Sequence, residues 1–353
     1  MYLEHFGLKR NPFPTTPNLD FFYNGGSRSE AIEAIHFALE KNFGIIKVLG
    51  SVGTGKTMIC RKAHRILSEQ YDVLFISDPS LESGESIISA VANELNPEWD
   101  LSKPKSKIFN QVIQTLIQHK NNHKESVLFI EEAQKLTQDQ LEELRYLTNL
   151  ETSQDKLLQI VLFGQPTLDA ILLKSDAQLL SSRLTHSIFI KPLTFSEFKE
   201  YVELRLSIAG LPKEETLFTH WQLWVIYQVS NHSLRYANQL LEKALFSAFI
   251  RKSYTISIKD IATSVANIGN PGAGMKYTRA QLASVFSLGV FIGWLGFTAT
   301  QPLMFAPAIS QNIDTSSPTL IHSNKETQPG LTHTKKPLKA SEEDHETLKT
   351  EKS

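Results

Sequence analysis

Cysteine occurs once in this 353-residue sequence, as Cys60. A single thiol allows neither an intrachain disulfide nor a cysteine zinc cluster, so the folded part reads as cytoplasmic. No charge of one sign dominates: 36 Lys and Arg stand against 37 Asp and Glu. Chains that coat nucleic acid usually carry a basic excess, and this balance argues against such a role. The histidines offer no metal site. His119 and His123 stand four apart, but the residues between them are Lys120, Asn121 and Asn122, without the glutamate that zinc hydrolases place there. They read as a polar connecting loop. The first residues, Met1–His5, lack the basic start and apolar run of a secretory leader. Internal repeats are also missing. Hydrophobic residues make up 41% and charged residues 21%, ordinary for a globular chain. That excludes wholesale disorder, collagen-like sequence and a polytopic membrane protein. The length predicts about two domains.

What is present begins with short apolar runs: Ile45–Leu49, Val73–Ser77, Val127–Ile130, Gln159–Phe163 and Ser187–Ile190. The first four are almost continuously apolar, as strands covered on both faces are. Amphipathic segments lie between them, with capping-box starts at Ser27 with Glu30, Thr137 with Gln140 and Thr194 with Glu197. Strand–helix alternation predicts an α/β domain, a parallel sheet with helices on both faces, over residues 1–192. From 193 to 268 the strand pattern stops. Phe195–Ala209, Leu217–Val229, Leu234–Ile250 and Ser257–Ile268 read as an all-helical second unit. In the third of these, Leu234, Ala237, Leu241, Ala244 and Ala248 fall on one face.

Residues 269–281 form a linker punctuated by Pro271, Gly272 and Gly274. Leu282 to Thr300 then runs without a charged residue. At about 1.5 Å rise per residue it spans roughly 28 Å, close to a bilayer's hydrocarbon core. It is apolar all round, which predicts a single transmembrane helix rather than a half-buried one. Arg251, Lys252, Lys259, Lys276 and Arg279 precede it and the next cation is Lys325. The positive-inside rule keeps the amino-terminal side in the cytoplasm. Residues 301–353 are rich in Ser, Thr, Lys, Glu and Pro, and read as a disordered tail on the far side.

The segment Gly50, Ser51, Val52, Gly53, Thr54, Gly55, Lys56, Thr57 fits the phosphate-binding loop pattern in full, after an apolar strand and before a helix. Glycines let backbone N–H groups wrap phosphates without Cβ clashes, and the helix N-terminus adds partial positive charge. Lys56 is expected to reach the β and γ phosphates of ATP, and Thr57 to hold Mg²⁺. The apolar strand ending in Glu131 and Glu132 is the natural partner. Glu131 is expected to bind the metal, and Glu132 to orient or deprotonate the attacking water. Gln165, at the end of the fourth strand, is placed to contact the γ-phosphate or the water. Arg183 is a candidate arginine finger for a neighbouring subunit, and Arg235, opening a helix of the second unit, a candidate clamp.

In this order the pieces resemble an AAA+ ATPase. More closely, the chain resembles the inner-membrane ATPase family of the general secretion pathway protein A (ExeA-type) and the MSHA pilus biogenesis protein MshM. The residues carrying the resemblance are Tyr2–Leu8, Asn11–Phe13, Thr16, Pro17, Phe21–Tyr23, Val52–Arg61, Glu131–Gln134, Leu144–Thr152 and Val161–Pro166, and it covers about residues 1–268. It implies an AAA+ core with a helical lid. Residue by residue, Gly50 to Met58 bind phosphate and Mg²⁺, Glu131 and Glu132 take the Walker B roles, Gln165 the first sensor, Arg183 the finger and Arg235 the second sensor. Pro12 and Phe13 border the adenine. The family's metal acid is usually Asp; here it is Glu131. The glycine- and proline-containing run before the sensor arginine is replaced by Ser230–Leu234. The peptidoglycan-binding domain of secretion-type members has no counterpart here.

The expected function is an oligomeric, Mg²⁺-dependent ATPase anchored in the inner membrane by a single span. It assists assembly of a type IV pilus or type II secretion apparatus together with a bitopic membrane partner. Two alternatives share the same site: a soluble DNA-associated AAA+ helper of the transposition type, and a nucleotide-gated scaffold with negligible turnover.

Overall fold

The computed structural model describes residues 2–80, 86–151, 156–173, 184–212 and 214–268. Arg183, the linker, the 282–300 segment and the tail lie outside these residues. Among the described residues no helix is long and apolar enough to cross a membrane.

Five parallel strands form one sheet: β1 (Ile45–Gly50), β2 (Tyr71–Ile76), β3 (Glu125–Ile130), β4 (Leu158–Gly164) and β5 (Leu184–Ile190), in the order β2-β3-β4-β1-β5. All five apolar runs are strands, each extended by one to three residues at one or both ends, although Ser77 falls outside β2, which ends at Ile76. Every residue of β4 is buried, and in β3 every residue after Glu125. Successive side chains alternate faces. Leu128, Ile130, Ile160 and Leu162 enter one core, while Val127, Phe129, Val161 and Phe163 enter the other. Burying each such side chain is worth roughly 1.5–3 kcal/mol, so the inner strands leave no room for a polar alternation. Ser126 and Gln159 are the buried polar exceptions in β3 and β4, and the Gln159 amide donates to the Leu39 carbonyl at 3.0 Å.

One face is covered by α2 (Ser27–Glu40) and α3 (Lys56–Leu67). The other is covered by α4 (Ile87–Leu95), α5 (Lys105–Asn121), α6 (Gln138–Thr148) and α7 (Thr167–Leu172). The doubly covered parallel sheet expected from the sequence is therefore present. The capping box at Thr137 forms; the one at Ser27 does not. Gly26 caps α2 instead, and the Ser27 hydroxyl accepts the Lys191 N–H at 3.0 Å. A long-range partner beyond β5 has replaced the local one. His119 also departs from expectation. It sits in the last turn of α5, paired with Asp72 at 2.9 Å, rather than in a loop.

The second unit contains α8 (Phe195–Ile208), α9 (His220–Val229), α10 (Leu234–Ile250) and α11 (Ile258–Ile268). Capping boxes start α8 at Thr194 and α9 at Thr219. The second moves the start of α9 three residues past the expected Leu217, because the Thr219 and Gln222 side chains satisfy each other's backbone N–H groups. The predicted face of α10 is buried in full: Leu234, Ala237, Leu241, Ala244 and Ala248. This helical core also takes in Phe6, Leu8 and Phe13. The amino-terminal segment, short helix α1 (Tyr2–His5) included, thus packs with the helical unit and not with the sheet.

Candidate nucleotide-binding site

β1 and β4 end level, with Leu49 paired to Gly164, while β3 ends two residues earlier, with Ile130 paired to Leu162. Strands about 4.8 Å apart therefore set Gly50 beside Gln165, with Glu131 two residues further back beside Phe163, at the edge where ligands bind in open α/β sheets. Between this edge and the helical unit lies a cavity of about 350 Å³, lined by Val52, Gly53, Gly55, Lys56, Thr57, Met58, Glu132, Gln165 and Arg235, and by Phe13 at its far side. That volume lies within the usual small-ligand range of roughly 300–1,000 Å³.

The loop joining β1 to α3 turns through Gly53 at φ 79° and Gly55 at φ 97°, a region L side chains rarely adopt. Behind the lining, the Thr54 hydroxyl donates to the Ser51 carbonyl at 2.9 Å. The Lys56 ammonium donates to the carbonyls of Gly50 at 2.8 Å and Ser51 at 3.0 Å. Burial pushes its pKa down, Glu132 pulls it up, Arg235 pushes it down and Glu131 pulls it up. A cation bonded only to neutral carbonyls in this setting is poised for an anion.

Glu131 is 7% exposed. Burial raises its carboxyl pKa, opposed by the Cys60 thiol, by Arg61 and by the Thr57 hydroxyl, while Glu132 raises it further. Its Oε1 has no hydrogen-bond partner. An orphaned buried carboxylate oxygen beside the phosphate-loop hydroxyl is a hard oxygen donor set, which fits Mg²⁺. Among the described residues no group of three or more His, Cys, Asp or Glu side chains is placed to hold a metal ion.

Glu132 follows in left-handed backbone conformation, φ 50°. Its Oε2 accepts from the Gln134 amide at 2.6 Å, and the Gln134 carbonyl oxygen accepts the Gln165 N–H at 3.0 Å. Arg235, in the first turn of α10, lines the cavity on the lid side. The Leu234 N–H donates to the Gly53 carbonyl at 2.9 Å. The turn that replaces the glycine- and proline-containing run puts Asn231 at φ 48° and His232 at φ 62°. The lid helix nonetheless starts at Leu234 with Ser233 as its cap.

At the far end of the cavity Phe13, Phe21 and Tyr23 belong to the motifs that carry the resemblance, whereas Tyr201, Arg205 and Asn238 do not. Phe21, Tyr23, Tyr201, Arg205 and Asn238 line that end. Arg205 is buried, donates to the Pro12 carbonyl at 2.7 Å and the Tyr201 hydroxyl at 2.8 Å, and stacks 4.9 Å over Phe21. The Tyr201 hydroxyl donates on to Asn238 at 2.9 Å. Pro12 thus backs the cavity wall while Phe13 faces in. Arg28, also buried, lines the cavity beside the phosphate loop and donates to the Thr54 carbonyl at 2.8 Å. These contacts join residues up to 193 positions apart, and no spacing rule reaches that far.

Residues 39–172 match the AAA_22 family model, an AAA domain. The chain is 32% identical over 300 residues to the General secretion pathway protein A of Aeromonas hydrophila, a match covering 84% of this chain and 54% of that protein. The chain therefore spans about half the length of the curated relative it matches. Among solved structures it is similar to Cdc6p of Pyrobaculum aerophilum (TM-score 0.56, 19% identity, 72% of this chain and 71% of that one). It is also similar to the ORC2 protein of Aeropyrum pernix in its ADPNP–ADP complexes (0.53, 14%, 73% and 73%). A third is the Drosophila ORC bound to DNA (0.54, 14%, 87% and 79%). At these identities the structures share the fold. Phosphate loop, acid pair and sequence match agree: this chain carries a P-loop AAA domain and is similar over most of its length to General secretion pathway protein A.

Proposed function

We propose that the chain binds ATP with Mg²⁺ in this cavity and hydrolyses it, and that turnover drives assembly of a type IV pilus or a type II secretion apparatus. The supporting observation is the convergence of Lys56, Thr57, Glu132, Gln165 and Arg235, from four separate segments, on one cavity. Backbone N–H groups of Gly53 to Thr57 and the Lys56 ammonium hold the phosphates. Thr57 and Glu131 hold Mg²⁺, which when bound neutralises charge on the transferred phosphoryl group. Glu132 orients a water and takes its proton. Gln165 contacts the terminal phosphate. Phe13 and the aromatic end of the cavity enclose the base.

Arg183 and the 282–300 segment lie outside the described residues, and both enter the proposal. Arg183 comes from a neighbouring subunit, which makes the working form a homo-oligomer. The 282–300 segment anchors the chain in the inner membrane, with the AAA domain cytoplasmic and the 301–353 tail periplasmic. A bitopic membrane protein of the apparatus is the expected partner. The name of the secretion-pathway relative supports this service.

Two measurements test the reading. In the purified full chain, Lys56→Ala is expected to abolish nucleotide binding, and Glu132→Gln to retain ATP but turn it over at least about 100-fold more slowly. Wild-type turnover in either variant overturns the site. A reporter active only outside the cytoplasm, fused after Ile313, is expected to be active. Activity of a cytoplasm-only reporter at the same place overturns the membrane anchor and moves the DNA-helper alternative forward.

A further inference from the structure

We propose that Gln134 is a positioning residue for hydrolysis: its side-chain amide sets the Glu132 carboxylate against the end of β4, and nucleotide binding does not need it. The inference rests on Glu132 acting as the base.

The geometry has three parts. The Gln134 NH₂ donates to Glu132 Oε2 at 2.6 Å. Its carbonyl oxygen accepts the Gln165 backbone N–H at 3.0 Å. Both partners demand the same amide orientation, since a carboxylate only accepts and a backbone N–H only donates. Among side chains of this length, only glutamine meets both demands. Glu132 and Gln165 line the cavity, whereas Gln134 does not. It stands behind them, tying the residue after β3 to the residue after β4. The packing there is close, for a Cβ at Gly164 would lie 3.3 Å from the Gln134 Oε1.

The chemistry explains why an amide stands at this position. With Oε2 engaged, Oε1 of Glu132 is left to accept from a water. A neutral donor fixes the rotamer without placing a further charge beside the carboxylate. The turn does hold a cation, Lys135, but its ammonium pairs with Asp78 instead. Glu132 itself sits at φ 50°, a costly conformation for a non-glycine residue, and the Lys135 N–H to Glu132 carbonyl bond of 2.8 Å closes the turn. The strained backbone aims the carboxylate, and Gln134 holds it there.

The test uses the full chain and three readouts. Gln134→Ala and Gln134→Glu are expected to lower kcat by about 10- to 100-fold, with KM and the ATP dissociation constant within about twofold of wild type. Combined with Glu132→Gln, Gln134→Ala is expected to add no further loss. In the nucleotide-free chain, Gln134→Ala is expected to speed hydrogen exchange at the Gln165 amide by at least about tenfold. Unchanged kcat in both variants overturns the proposal. So does a loss of ATP affinity as large as the loss of kcat, which marks a structural role, or additive losses in the double variant. If Glu132→Gln alone keeps wild-type turnover, the site reading itself falls. If Glu132→Gln is inactive while the Gln134 variants are normal, only the positioning role falls.

Discussion

The backbone N–H of Leu234, the first residue of α10, donates to the carbonyl of Gly53 at 2.9 Å. One hydrogen bond thus fastens the helical unit to the phosphate loop. The next residue along α10 is Arg235, which faces the same cavity. A shift of the loop around a bound phosphate is therefore felt at the start of the lid helix.

This fastening makes Gly53 the most sensitive glycine of the loop. It has φ 79°, and an added Cβ would overlap the Ser233 hydroxyl. Gly53→Ala is expected to lower ATP affinity by at least about tenfold, some 1.4 kcal/mol, and to lower Tm. Isothermal titration and a thermal melt check both. Wild-type affinity would show that the loop relaxes away from the lid at no cost.

Glu131 reaches its position through one methylene more than aspartate has, and the pocket formed by Cys60 and Thr57 accommodates it. Glu131→Asp withdraws the carboxylate by about 1.5 Å. The gain in ATP affinity on adding Mg²⁺ is then expected to shrink by about tenfold, and Glu131→Gln is expected to remove it. Affinity without Mg²⁺ should hold or rise, because a carboxylate near the phosphates has been moved or neutralised. Titrations with Mg²⁺ and with chelator separate the two. An undiminished Mg²⁺ effect in Glu131→Gln argues against metal ligation.

Arg205 joins α8 to the amino-terminal segment through the Pro12 carbonyl and braces Tyr201. Its loss leaves a buried carbonyl and a hydroxyl short of a partner, a penalty of about 1–3 kcal/mol each. Arg205→Met, which conserves most of the apolar stem, is expected to lower Tm by several degrees and to weaken ATP binding more than it weakens inorganic triphosphate binding. Equal weakening of both ligands would remove Arg205 from the base end of the cavity.

Asp260 holds the carboxyl-terminal part of the helical unit. Burial alone would raise its pKa, but bonds from the Arg251 guanidinium, the Ser257 hydroxyl and N–H, and the Ser247 hydroxyl outweigh burial and hold it well below the usual carboxylate range. A depressed carboxylate stabilises the fold fully above its ordinary value of 3.8. That stabilisation is lost as pH falls below this value toward the folded-state pKa. Asp260→Asn is expected to cost on the order of 2 kcal/mol at neutral pH, mostly through the serine contacts. The Arg251 side chain is 43% exposed, so the ion pair adds little. Denaturant unfolding at pH 7 and pH 3 checks the sign: the gap between variant and wild type narrows at the lower pH. A constant gap overturns the assignment.

Sequence alone determined the strands, the phosphate loop, the acid pair and the buried face of α10. Each is a local pattern, and the physics that produces it acts within a few residues: continuous apolar runs, glycine at positive φ, a carboxylate at a strand's end. Ser27 shows where local reading stops, because a capping box that its neighbours allow lost to Lys191, a partner 164 residues away. The amino-terminal segment and His119 went the same way, toward a distant helical core and toward Asp72. Only the tertiary structure decided that Gln134 stands between Glu132 and Gln165, that Arg205 backs Pro12, and that Gly53 meets Leu234. The first pairing follows from β3 lying beside β4 in their observed register, and the others from packing the helical unit against the amino-terminal segment and the phosphate loop. Strand order and register come from packing two cores at once, a property of the whole chain rather than of any window within it.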